Sequence, residues 1–241
     1  MDNNFILVSL DDAFKFSCSK NVSCFNACCR DLNQSLTPYD ILRLKNHLGI
    51  SSTDFLERYC AQHTGPESGL PIVTLKPKEV PELTCPFVTS AGCSVYAHRP
   101  SSCRTYPLVR AISKSRETGE MTERFMLLKE SHCLGFNEEK TQTVRRWIED
   151  QGVAVYNAVN DLLMEIISLK NRLIPGLLDM KSRHLFCLAL YDLDNFRTQI
   201  FEKGRLNDFD VDQDTLKRAK ADDVALLKLG LKWVKRKLFN E

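Results

Sequence analysis

Eight cysteines fall within the first 133 residues of this 241-residue chain, and four of them lie inside one twelve-residue stretch. They are Cys18, Cys24, Cys28, Cys29, Cys85, Cys93, Cys103 and Cys133. Thiols this dense form disulfides, pack as small hydrophobes or hold a metal, and each choice asks for a different backbone. The chain opens Met-Asp-Asn-Asn, without the positive region of a secretory signal, and Asp11-Asp12 ends the apolar run from Phe5 to Leu10. Other apolar stretches, such as Leu185 to Tyr191, are too short to span a bilayer. We therefore expect a cytoplasmic protein with no membrane segment, in a compartment that keeps thiols reduced. In that setting a metal is the leading expectation for the cluster, and a disulfide framework the alternative.

Composition adds two bounds. A hydrophobic fraction of 43% is enough for a core that needs no staples. A formal net charge of +2 gives no reason to expect a specific nucleic-acid partner.

Periodicity and breakers give an α+β fold. Phe5 to Cys29 reads as a short strand followed by a cysteine loop. Thr37 and Pro38 open a helix that Gly49 stops, and a second helix begins at Ser52 or Thr53, carrying Phe55, Leu56 and Tyr59. Ile72 to Leu75 reads as a strand. Val109 to Ile112 and Arg124 to Leu128 read as paired strands with Gly119 in the turn between them. Glu138 to Asn171 is apolar at helical spacing, with Gly152 dividing it, and Pro175-Gly176 breaks the chain. Further helices are expected over Ser182 to Phe201 and Gln213 to Phe239. The expected organisation is a cysteine-rich metal-binding N-terminal domain of short strands and helices, residues 1–136, and an all-helical C-terminal domain, residues 137–241.

Thiolate is a soft ligand that selects zinc, iron–sulfur clusters or copper(I). The spacing Cys24-x3-Cys28 lets two sulfurs converge across a short turn, and eight sulfurs fit two four-sulfur sites. Side chains of adjacent residues in extended chain point to opposite faces, so Cys28 and Cys29 are expected to serve two adjacent ions or one polynuclear site. Thiolates around a zinc leave net negative charge, which Arg30, Arg99, Arg104 and Arg110 could offset. Cys60, placed on the second helix, and Cys187 are expected to be packing residues. His98 and His132 neighbour the cysteines, but eight sulfurs already satisfy two sites; His47, His63 and His184 receive no role. Asp208 to Asp214 lacks the glycine and closing glutamate of a calcium loop and reads as a solvated turn. Phosphate-cradling glycine loops, nucleophile elbows and His-Glu-x-x-His motifs are absent from the sequence.

The runs Cys24-x3-Cys28-Cys29-Arg30, Leu36-Thr37-Pro38-Tyr39-Asp40 and Cys85-Pro86-Phe87, followed by Gly92-Cys93-Ser94-Val95-Tyr96-x-x-Arg99-Pro100-x-x-Cys103-Arg104-x-Tyr106-Pro107, carry a resemblance. Over roughly residues 15 to 135 the chain resembles the YkgJ-like cysteine-cluster family, described as a zinc- or iron-chelating domain. The same cluster looks like that of flagellin lysine N-methylases, thought to carry an iron–sulfur cluster and use S-adenosylmethionine. The resemblance implies that the eight cysteines are metal ligands and that Tyr96, Arg99, Arg104 and Tyr106 support them from behind. It also implies that Pro100 and Pro107 hold the chain extended around Cys103. Three functions stay open. The first is a protein whose cysteine cluster holds zinc, iron or an iron–sulfur cluster, for a structural, redox or metal-handling role. The second is an S-adenosylmethionine-dependent protein methyltransferase. The third is a zinc-stapled module whose helices meet an unidentified protein partner.

Overall fold

The computed structural model describes residues 4–31, 33–66, 68–78, 81, 83–115, 118–206 and 209–240. In chain order it runs β1 (Phe5–Val8), β2 (Ala13–Lys15), a 3-10 turn (Ala27–Cys29), β3 (Ser35–Leu36), α1 (Pro38–Leu48), α2 (Ser52–Tyr59), β4 (Cys60–Thr64) and β5 (Pro71–Leu75). Next come β6 (Val88–Thr89), β7 (Gly92–Cys93), a 3-10 turn (Tyr96–His98), α3 (Ser101–Thr105), β8 (Leu108–Lys114), β9 (Met121–Leu128), a 3-10 turn (Leu134–Asn137) and β10 (Thr141–Thr143). Helices α4 (Val144–Gln151), α5 (Ala154–Leu173), α6 (Met180–Leu190), α7 (Leu193–Phe201), α8 (Gln213–Ala221) and α9 (Asp223–Phe239) complete it. The fold is α+β: small sheets and short helices come first, and the region from Val144 to Phe239 is all helical.

Local chemistry accounts for the boundaries. The Thr37 hydroxyl accepts from the Asp40 amide at 3.3 Å while the Asp40 carboxylate accepts from the Thr37 amide at 2.8 Å, a reciprocal cap that starts α1. Gly49 (φ 64°) and Gly152 (φ 59°) end α1 and α4 in the left-handed region, where a side chain is disfavoured. The two long C-terminal helices expected from periodicity are each divided. Tyr191 and Asp192 separate α6 from α7. Asp222 ends α8 and at once caps α9, accepting from the Ala225 amide at 2.6 Å. The expected loop at Asn207 and Asp208, including the start of the acidic turn, lies outside the described residues. Cys60 does not continue α2: it begins β4, which pairs antiparallel with β5 from Cys60↔Leu75 to Thr64↔Pro71.

By contacts the chain forms two compact units. The first comprises Met1–Leu32, Pro77–Tyr96 and Ser101–Ala154; the second comprises Asn33–Lys76, Ala97–Pro100 and Val155–Glu241. All eight clustered cysteines fall in the first unit, and Cys60 and Cys187 fall in the second.

The first unit is built on the sheet β1-β9-β8 and the ribbon β10-β2. Its core gathers Phe14, Phe16, Leu108, Phe125, Leu127, Val144 and Trp147. The Phe16 ring meets the rings of Phe136, Trp147 and Tyr106 edge-on, at 5.2, 5.5 and 6.0 Å between centroids. Burying such a side chain stabilises by about 2–3 kcal/mol. Gln142 and Trp147 fasten the core to the backbone, donating to the carbonyls of Phe16 and Thr105 at 2.9 Å each.

The second unit packs α1, α2 and α5 to α9 with the sheet β3-β5-β4. Phe55, Ile166, Phe186, Phe196, Leu226 and Leu227 are buried completely or nearly so. Lys45 is also buried, and its ammonium lies 3.1 Å from both Asp194 and Asp223. Burial alone would raise the Asp223 pKa. Hydrogen bonds from Asn46 and Lys45, with the charges of Lys45 and Arg197, outweigh it and hold the carboxyl below its ordinary range.

A carboxylate whose folded pKa is depressed stabilises the fold above its unfolded value, and the contribution is lost as pH falls through the folded pKa. The urea midpoint should therefore fall on acidification below about pH 4. Lys45→Ala removes the cation shared by Asp194 and Asp223, while Asp223 keeps Arg197 and Asn46, and should cost about 2 kcal/mol at neutral pH by urea denaturation, since a partly buried pair is worth less than a fully buried one. An unchanged midpoint in this variant would show that Lys45 only fills space.

Candidate metal centre

The cysteine-bearing segments lie beside the aromatic core of the first unit and contain little regular structure. From Ser17 to Asp31 they hold only one 3-10 turn, and from Thr84 to Pro107 only two-residue strands, a 3-10 turn and the short α3. Backbone hydrogen bonds draw them together. The Cys85 amide donates to the Cys29 carbonyl at 2.8 Å, and Asn26 Nδ2 donates to the Thr89 carbonyl at 3.1 Å. The Ser17 amide donates to the Gly135 carbonyl at 3.0 Å, bringing the start of the first cysteine loop beside the segment that carries Cys133. Gly135 is required there: a Cβ would stand 2.7 Å from both the Phe16 ring and the Ser17 carbonyl oxygen. Sequence reasoning passed over this glycine, because nothing local marks a close approach between segments more than a hundred positions apart.

The sulfurs fall into two neighbourhoods. Cys29 interacts electrostatically with Cys28, Cys85 and Cys103, and Cys85 with Cys93. Cys93 lies opposite Val88 in the β6-β7 ribbon, and Gly92 before it lets the Phe25 ring approach to 3.1 Å of where a Cβ would be. The other neighbourhood holds Cys24 and Cys133. The Cys24 sulfur accepts from the Leu134 amide at 3.2 Å. Cys133 packs against the core and faces the Tyr106 hydroxyl, and burial and this thiol push the Tyr106 pKa far up. Cys18 is exposed and follows the Ser17 anchor by one residue.

Backbone amides are aimed at several sulfurs. Besides Leu134 on Cys24, the amides of Phe87 and Val88 lie close enough to Cys85 to lower its thiol pKa against burial. An amide donor stabilises the thiolate, the form that binds metals. Burial still leaves the Cys85 thiol raised overall. Cys28 and Cys29 act as a pair. A hydrogen bond from Cys29 lowers Cys28 to about 7 against burial, while the same bond and burial push Cys29 far up. One proton leaves this pair easily and the second does not.

This contact corrects an expectation. The two residues close a 3-10 turn, so the extended backbone that would send their side chains to opposite faces is not present, and the two thiols interact. Likewise the chain between Pro100 and Pro107 is not extended: Cys103 sits on the helix α3. All ten cysteines are free thiols. Of the eight in the cluster three are exposed and five half-buried, which differs from Cys60, buried in the second unit with its pKa raised to about 12 by desolvation. Free cysteine is among the most buried residue types when it only packs. Eight thiols in one unit, three of them exposed and none fully buried, form a donor set that fits a thiophilic ion. Among the described residues no group of three or more histidine, cysteine or acidic side chains stands where it could hold a metal ion.

The expected supporting residues are dispersed. Arg104 Nη1 donates to the Gln151 carbonyl at 2.7 Å, tying α3 to the end of α4. Tyr106 stands between the core and Cys133. Tyr96 is 60% exposed. Arg99 is buried in the second unit, where its carbonyl lies 3.5 Å from the Tyr156 hydroxyl. Arg110 pairs with Glu123 across β8 and β9, and Arg30 is exposed. His132 lies 3.8 Å from Glu130, and His98 stacks on His47 in the second unit.

Alkylation of metal-free, reduced protein near neutral pH should follow this geometry. The eight clustered thiols should be modified, with Cys28 leading, while Cys60 stays protected until the fold opens. Mass spectrometry of peptides after timed iodoacetamide exposure reads the order. Early labelling of Cys60 would contradict its burial.

No curated protein and no solved structure matches the chain. Residues 17–134, a segment that contains all eight clustered cysteines, match the family CxxCxxCC, described as "Putative zinc- or iron-chelating domain". Over that segment, 118 of the 241 residues, the chain is similar to this family of cysteine-cluster domains.

Proposed function

We propose that the eight thiols hold zinc or iron, and that the bound metal fixes the loops that the core of the first unit leaves unsupported. One observation carries this reading: free thiols on mostly irregular chain, three exposed and five half-buried, with backbone amides turned toward Cys24 and Cys85. The segments around them bury few side chains, chiefly Val22, Phe87 and Val95. Such chain lacks the apolar area to fix itself, and thiolate–metal bonds supply what burial does not. Sulfur-only ligation selects zinc or an iron–sulfur centre. Zinc gives a closed, redox-silent staple. Iron–sulfur ligation by the same thiols adds a one-electron redox function. The Cys28–Cys29 pair supplies the first thiolate, and ligation releases the protons held by the others. A reducing compartment, the cytoplasm, belongs to this reading, because oxidation of the cluster would remove the ligands.

Anaerobic purification with elemental analysis and a visible spectrum tests it. A stoichiometric content of colourless zinc, or of iron with charge-transfer absorption, is expected. A colourless, metal-free and folded protein with eight reactive thiols would falsify it. Cys103→Ser should lower the metal content and loosen the first unit, read as faster proteolysis between Ser17 and Pro107. Cys60→Ser should leave the metal content unchanged.

A further inference from the structure

Strand β1 forms one edge of the sheet β1-β9-β8 and reads Phe5-Ile6-Leu7-Val8, without a charge or a proline. Phe5, Ile6 and Leu7 are 47%, 43% and 67% exposed. We propose that this edge pairs antiparallel with the same strand of a second copy of the chain, about a two-fold axis at Ile6, joining the two sheets into one.

The register fixes which backbone groups are available. The Lys129 amide donates to the Asn4 carbonyl at 2.9 Å, and Phe5 lies opposite Leu128. Antiparallel residue pairs alternate between hydrogen-bonded and open. Asn4, Ile6 and Val8 therefore bond toward β9, while Phe5 and Leu7 turn their N–H and C=O groups away from it. The other side of β9 has the matching phase: the Leu128 amide donates to the Pro107 carbonyl at 2.9 Å, toward β8. Among the described residues no further strand pairs with β1 on its open side. Its free donors and acceptors are self-complementary. With Ile6 on the axis, Phe5 of each copy faces Leu7 of the other, and each such pair exchanges both N–H···O bonds.

The side chains fit the same pairing. Leu7 stands in one row with Met126 and Val109, and Phe5 stands beside Leu128, so one end of the outer sheet face is apolar across all three strands. Pairing sets Phe5 beside Leu7 of the other copy, continues that stripe across the axis and takes apolar surface out of water. Sheets guard such edges with lysine, proline or a bulge. Here the β1-β9 register runs unbroken from Phe5↔Leu128 to Val8↔Phe125. An acidic or basic partner strand gains nothing from an uncharged edge, whereas an identical strand matches it in polarity, length and hydrogen-bond phase. The strand has four residues, against roughly 20–30 per side in a standard interface, so the dimer is weak.

Sedimentation equilibrium of the full chain, from micromolar to near-millimolar concentration, tests the proposal; reductant in the buffer keeps intermolecular disulfides out. A monomer–dimer equilibrium is expected. Hydrogen exchange at the Phe5 and Leu7 amides should slow as the dimer forms, while the Ile6 and Val8 amides are protected throughout. Leu7→Lys, at an exposed position, should weaken association at least about tenfold with the melting temperature unchanged, and Phe5→Glu should weaken it similarly. Combining the two substitutions sets opposite charges side by side across the axis and should recover most of the loss. A monomer at every concentration, association that leaves the Phe5 and Leu7 amides exchanging freely, or a double variant no tighter than the single ones would overturn the assignment.

Discussion

The hydrogen bond from the Cys85 amide to the Cys29 carbonyl, 2.8 Å long, is the contact on which the cysteine cluster depends. It joins two loops that are far apart in sequence and lie outside the aromatic core. Around it the thiols of Cys28, Cys29, Cys85, Cys93 and Cys103 form a chain of mutual interactions. The Ser17–Gly135 bond does the same for the neighbourhood of Cys24 and Cys133. Neither bond is strong enough to order a loop alone, since a typical hydrogen bond contributes only about 1 kcal/mol net. They position the chain, and ligation would fix it.

The aromatic core determines where those loops hang. Phe16 comes two residues before Cys18 and meets Tyr106, which comes three residues after Cys103, while Phe136 follows Cys133 by three. Each ring ties one cysteine segment to the same packed centre. Burial thus sets the approximate position of the cluster, and the backbone bonds set its finer arrangement. The bond from Cys29 then holds the Cys28 thiol low, toward the thiolate form that a soft cation requires.

Local signals in the sequence carried much of this. Thr37-Pro38 and Gly49 bound α1 because capping and left-handed termination are decided within a few residues. The β8-β9 hairpin was legible from two apolar runs around Gly119. The breaks between α6 and α7 and between α8 and α9 were not, because apolar spacing continues through them and a capping aspartate such as Asp222 reads equally well as a helix interior. Strand β4 was hidden because Cys60-Ala61-Gln62-His63-Thr64 has no strand pattern and is held by pairing with β5. The metal-binding class of the domain was legible from cysteine density alone. The contact between Cys28 and Cys29 was not, since it follows from a 3-10 turn that only the surrounding loops impose.

X-ray absorption at the edge of the bound metal, on protein purified without oxygen, tests the central claim most directly. A first shell made only of sulfur, at about 2.3 Å for zinc, is the predicted result. Further metal scattering beyond that shell would identify a polynuclear centre held by the same thiols. A first shell dominated by nitrogen or oxygen would contradict the account, because the cysteines would then not be the ligands.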